Sequence, residues 1–349
     1  MAYNLNSKIR DLKPYDPILG DFPIRLDANE SFLQPTDEIL TKIRDAAASV
    51  VFNRYPDPFA KELCQSFADF YGVDEASVTA GNGSDELISV ILGAFVMKDE
   101  AIMTLSPDFS MYRFYGHLNE VKCFEYQKKA DFSIDLDELI SLTKEYDIKA
   151  LVFSNPCNPT GRGLKREEVR KLVASVNALV VLDEAYMDFW DQSFIREAGN
   201  YDNLIVLRTC SKMIGMAALR LGFAVANPSI TNAIRAVKSP YNVNACSQKI
   251  GSIVLKEKSW LDSGLSEIKA SRKELSSMLK FLEQIYCNQI HVYDSVTNFI
   301  LVRVLESRRV FEGLKKAGIV VRHMGDYIRI TAGTAEENMK LIRCLKTIL

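Results

Sequence analysis

Four short polar segments carry the side chains that chemistry on a phosphorylated aldehyde cofactor needs. They are GNGSDE (81–86), SNPCNPTG (154–161), LVVLDEAY (179–186) and LIVLRTCSKMIGMAALRLG (204–222). In each, an apolar run of strand type leads into the polar residues. Lys212 is the nucleophile candidate. An amine of this kind needs its proton affinity lowered by desolvation or by nearby positive charge. Arg220, eight positions on, supplies charge and binds phosphate, and the Thr209 and Ser211 hydroxyls serve the same anion. Asp183 ends an apolar run, where a buried carboxylate costs several kcal/mol unless paired. A protonated ring nitrogen is a fitting partner. Tyr186 follows three residues later and brings a phenol to the same ligand.

The remaining candidates complete a cradle. Gly81 and Gly83 permit a tight turn, which leaves the Ser84 and Asp85 amides as helix N-terminal donors for a phosphate. A dinucleotide fingerprint is not met, because Glu86 stands where its third glycine would. Two Asn-Pro pairs stiffen the loop around Asn158, whose amide suits a phenolic oxygen. Phe109 is placed to stack on an aromatic ring. Arg322 and Arg329 are forks for a carboxylate or phosphate. Taken singly, each has an ordinary alternative: a solvated lysine, Ser84 as a helix cap, a plain turn, a core aromatic, a surface arginine. Their combination is what discriminates.

These residues need a scaffold that brings strand ends together. Strand-like runs are predicted at 78–80, 101–105, 121–125, 150–153, 179–182, 204–207 and 223–226, with helical segments between most of them. That alternation predicts a seven-stranded, mainly parallel sheet between helices. In such sheets ligands collect beyond the carboxyl ends of the strands. The gap between 207 and 223 is short enough to join strands of either direction. After Pro228 the texture shifts. A helix is expected at 229–238 and another to about Lys258, then further helices and short strands at 291–293, 299–304, 320–322 and 327–331. The expected organisation is an arm at 1–30 docking on a smaller α+β domain at 241–349, with a large ligand-binding domain at 31–240.

Composition narrows the functional class. The chain has 349 residues, 48% apolar and 25% charged, with a formal net charge of −2, an ordinary globular balance. Basic residues are scattered, which disfavours a nucleic-acid or anionic-membrane surface. No apolar stretch approaches the roughly 18 residues of a membrane span. The first residues lack a secretory h-region, and the seven cysteines are well separated with no CxxC. A cytoplasmic protein with reduced thiols is expected. The three histidines lie far apart, and no metal site is expected.

Taken together, GNGSDELI, PDFSMY, NPCNPTG, LDEAYMDF, RTCSK and ALRLG, with LDANES (26–31), NRYPD (53–57), PYNVN (240–244) and IRITAG (328–333), resemble the fold-type I aminotransferases that use pyridoxal 5′-phosphate (PLP). Within that superfamily the chain looks like the histidinol-phosphate aminotransferases, over about residues 12–334. The resemblance implies that Lys212 bonds covalently to PLP, that Asp183 pairs with the pyridine nitrogen and that Phe109 stacks on the ring. It places Asn158 and Tyr186 at the ring hydroxyl, and Ser84, Asp85, Ser211 and Arg220 around the phosphate. Tyr55 matches a tyrosine that reaches the partner subunit's phosphate, which implies a homodimer. Tyr15, Asn29, Arg322 and Arg329 match positions around the substrate. Phe109, Cys157 and Cys210 depart from commoner residues without removing a catalytic group. The implied reaction is transamination between L-histidinol phosphate and 2-oxoglutarate. A threonine-phosphate decarboxylase and a broad or aromatic aminotransferase share the same motifs.

Overall fold

Two β-sheets organise the chain. The computed structural model describes residues 3–14 and 16–349; Tyr15, one of the expected substrate residues, lies outside the described residues. The strands are β1 (Ile24–Leu26), β2 (Val78–Gly81), β3 (Ala101–Ser106), β4 (Lys122–Gln127), β5 (Ile148–Ser154), β6 (Leu179–Asp183), β7 (Leu204–Thr209), β8 (Gly222–Ala226), β9 (Ile290–Val292), β10 (Phe299–Val304), β11 (Ile319–Met324) and β12 (Tyr327–Thr331). The large sheet has seven strands in the order β2-β8-β7-β6-β5-β3-β4. Only β8 runs against its neighbours β2 and β7. The short gap before β8 therefore joins antiparallel strands. Because β2, β3, β5, β6 and β7 share a direction, all five open onto one edge.

These strands are apolar almost throughout because both faces are covered. Alternate residues feed two separate cores. Val180, Leu182, Leu204 and Val206 enter one, while Val181, Ile205 and Leu207 enter the other. Helix Ser84–Phe95 adds Leu87, Ile88, Ile91 and Leu92 to the second core, a helical stripe that faces the sheet.

The smaller sheet has the order β1-β11-β12-β10-β9. Its first strand falls inside the segment expected to be an arm, and pairs in parallel with β11. Three residues, IRL, are too few to show a period of two, so only the pairing reveals the strand. A second difference concerns the helices after residue 244. The structure has Ala245–Val254 and then a 28-residue helix, Lys258–Ile285, with an interruption at 255–257. Neither glycine nor proline marks that break. The long helix serves both sheets. Its Leu261 and Ile268 join the first large-sheet core, and its Leu275, Leu279 and Leu282 join the core beneath the small sheet.

Candidate active site

The shared edge of the large sheet brings most of the expected residues together. Asp183 closes β6 beside Ser154, the last residue of β5. Only 4% of its surface is exposed. Its Oδ2 accepts from the Tyr112 hydroxyl at 2.8 Å and its Oδ1 from the Ala185 amide at 3.0 Å. Burial pushes its carboxyl up to about 6 from an ordinary value near 3.8, and the two donors only partly oppose that. Among the described residues no lysine or arginine forms an ion pair with it. Tyr112 was not singled out from the sequence. Its place three positions after Phe109, at the start of helix Met111–Leu118, was the available signal. The Phe109 ring stands edge-on to Tyr112, with centroids 5.5 Å apart.

Lys212 follows β7 with its Nζ 5.7 Å from the Tyr186 ring centroid, and donates to the Ala28 carbonyl at 3.0 Å. The Tyr186 hydroxyl accepts from Asn29 Nδ2 at 2.9 Å. Asn158 Oδ1 accepts from Arg329, whose other terminal nitrogen donates to the Asp27 carbonyl at 2.6 Å. Asn29, Asn158, Tyr186, Lys212 and Arg329 thus meet where the small sheet faces the large one. Arg322 pairs with Arg329 in the β11–β12 register, yet lines a depression of about 430 Å³ with Asp16, Leu19, Phe311, Lys315 and His323.

The anion cradle is built mainly from backbone. Helix Ser84–Phe95 starts from Gly83, at φ 89°, with no side-chain cap. Ser84 is therefore not the cap; it lies in the first turn, among the amides that have no partner within the helix. A Cβ on Gly83 would come within 3.0 Å of Arg220 Nη2, and one on Gly222 within 2.1 Å of the Ser84 nitrogen. Arg220 itself adopts a left-handed φ of 52°. Gly222 was missed because its role depends on packing against a loop about 140 residues earlier. Ser211 donates its amide to Thr209 Oγ1 at 3.1 Å, and the two hydroxyl oxygens are 3.1 Å apart. Asp85 Oδ2 accepts from Tyr115 at 2.8 Å.

Tyr55 stands apart from this cluster. It is 81% exposed and stacks on Tyr241 with centroids 4.6 Å apart.

A site with an amine, a buried acid without a cation and a free helix N-terminus fits PLP. The acid suits the pyridine nitrogen, and the glycine-walled cradle suits the phosphate. The chain belongs to the class I and II aminotransferases, whose family model matches residues 23–345. A histidinol-phosphate aminotransferase from Clostridium novyi (strain NT) is 41% identical over 343 residues, which cover 97% of this chain and 95% of the relative. The solved structure of histidinol-phosphate aminotransferase from Sinorhizobium meliloti in complex with pyridoxal-5′-phosphate matches with TM-score 0.88 and 21% identity, covering 100% of this chain and 99% of that one. L-threonine-O-3-phosphate decarboxylase from Porphyromonas gingivalis matches with TM-score 0.79 at 21% identity, covering 93% and 98%. The fold alone therefore does not separate the two chemistries.

Proposed function

We propose that this aminotransferase carries PLP and transfers the amino group of L-histidinol phosphate to 2-oxoglutarate, giving imidazole-acetol phosphate and L-glutamate. The observation that carries the proposal is Asp183, buried and, among the described residues, without a cation, at the end of the strand next to β7, which Lys212 follows. The identity to the Clostridium relative over nearly the whole chain supports the choice of substrate.

The cofactor, when bound, supplies an aldehyde for covalent attachment and a ring that takes up the electrons of the substrate Cα–H bond. Lys212, whose amine donates to the Ala28 carbonyl, would be the residue that holds the cofactor covalently. The same Nζ would serve as the base for the substrate Cα proton and as the carrier that returns a proton. Asp183 would keep the ring nitrogen protonated. The Ser84 and Asp85 amides, Thr209, Ser211 and Arg220 would hold its phosphate, and Phe109 would cover its ring. Asn158 and Tyr186 would donate to the ring oxygen. Arg329 would receive first the phosphate of histidinol phosphate and then a carboxylate of 2-oxoglutarate, with Arg322 as its cross-strand neighbour.

The arm at 1–30 and the divisions at 31–240 and 241–349 are proposed as the working units, with the joint spread along helix Lys258–Ile285. A homodimer is proposed from the exposed Val51, Phe52, Tyr55 and Phe59. In it Tyr55 reaches the partner's phosphate site. A cytoplasmic location fits the substrates; among the described residues no helix is long and apolar enough to cross a membrane.

The deciding assay gives purified holoenzyme histidinol phosphate with 2-oxoglutarate, and separately threonine phosphate alone. Glutamate from the first mixture is expected. Carbon dioxide from the second, without glutamate from the first, makes the protein a lyase. Mixing Tyr55→Ala with Lys212→Ala subunits tests the dimer. Hybrid dimers rebuild one complete site and regain activity; no regain removes the shared-site proposal.

A further inference from the structure

A phenol has one proton, and its neighbours decide where it points. Tyr186 Oη accepts from Asn29 Nδ2 at 2.9 Å. The orientation of that amide is set by Thr331. The Asn29 backbone N–H donates to Thr331 Oγ1 at 3.0 Å, and Thr331 sends its own proton to Asn29 Oδ1 at 3.1 Å. The amide carbonyl therefore faces Thr331 and the NH2 faces Tyr186. Asn298 Nδ2 donates to the Asn29 carbonyl at 3.0 Å and holds its left-handed backbone, φ 55°. Asn29, Asn298, Thr331 and Tyr186 are all buried, so water does not scramble the pattern. Thr331 pairs with Phe299 across β10 and β12, and the Phe299 ring stands edge-on to Tyr186 at 5.2 Å.

We propose that Thr331 is a positioning residue for transamination. By locking the Asn29 amide it makes Tyr186 an acceptor inside the protein, so that the Tyr186 proton is given outward to the phenolic oxygen of the cofactor ring. The inference rests on the PLP reading above. It gives the small sheet a task beyond binding substrate: β12 sets the direction of a proton in the site at the edge of the large sheet. It also gives Asn29 an orienting role. Without the threonine hydroxyl the amide is free to turn its carbonyl toward Tyr186, and the phenol then donates to Asn29 instead of to the ring.

The test is a pH titration of the visible absorbance of the holoenzyme, which reports the proton shared between the Lys212 nitrogen and the ring oxygen. A lost donor to that oxygen raises the titration midpoint. Thr331→Val keeps the shape and removes the hydroxyl. It is expected to raise the midpoint by about one pH unit and to lower kcat roughly tenfold with KM little changed. Thr331→Ser restores both. Tyr186→Phe is expected to raise the midpoint likewise, and Thr331→Val added to Tyr186→Phe to shift it no further. A wild-type midpoint in a normally folded Thr331→Val protein overturns the proposal. So does an equal additional shift in the Tyr186→Phe background. Should the valine variant fail to fold, Thr331→Ala carries the same expectations and the same refutations. A wild-type protein with no visible band refutes the PLP reading itself, a separate result.

Discussion

Asp183 and Glu184 are adjacent, buried acids with opposite fates. Glu184 is closed within the protein. Its carboxylate lies 2.9 Å from Arg208 Nη2 and accepts from Ser193 Oγ at 2.8 Å and the Phe194 amide at 2.6 Å. Arg208 also holds Asp188 at 2.7 Å, and Tyr71 donates to Asp188 at 3.2 Å. Asp183, on the other face of the strand, has two neutral donors and, among the described residues, no cation. Burial raises the proton affinity of both acids, but Arg208 opposes the rise at Glu184. One face of β6 is finished by folding, and the other is finished only by a ligand. A buried acid paired with its own cation marks architecture; a buried acid without one marks a site.

Breaking each side in turn tests the contrast. Lys212→Ala is expected to cost beyond ~10⁴-fold in turnover with an unchanged melting temperature; measurable transamination near wild type would remove the lysine from the chemistry. Arg208→Met strands two buried acids, and should destabilise the fold by about 3–5 kcal/mol in urea titration. A neutral result there would mean the cluster is not needed. Asp183→Asn should do the reverse: a kcat loss on the order of 10²–10³ with cofactor-free stability equal to or above wild type. A large drop in stability would place Asp183 with the architecture.

The smallest effect is in pH. Because the folded carboxyl of Asp183 is raised, its contribution to stability is full below its unfolded value near 3.8 and is lost as pH climbs through about 6. On the order of 2–3 kcal/mol is at stake for the cofactor-free protein, visible as a slope that Asp183→Asn abolishes. Cofactor affinity should move the other way. The pyridinium arrives with its own proton, so below about pH 6 the site must release one to form the pair. Fluorescence titration should show PLP binding weakening there, and not in Asp183→Asn.

Much of the site was legible from sequence because its residues sit at strand ends. Lys212, Asp183, Asn158, Phe109 and Ser84 each follow an apolar run, and those runs became β7, β6, β5, β3 and β2. The parallel sheet then converts position along the chain into position at one edge. Residues acting through a neighbour left no such mark. Tyr112 reads as core until Asp183 is seen against it. Gly222 reads as a strand residue until Ser84 is found 2.1 Å from where its Cβ would be. Thr331 reads as part of an alternating strand.

The sequence by itself determined the alternating elements, the seven strands and the candidate site residues, because apolar periodicity and strand-end placement are local. Tertiary structure alone decided the antiparallel turn of β8, the short strand β1, the break at 255–257, and which buried acid kept a cation. Those outcomes depend on contacts between segments far apart in the chain, where a hydrogen bond or a charge is fixed by geometry rather than by neighbours in sequence.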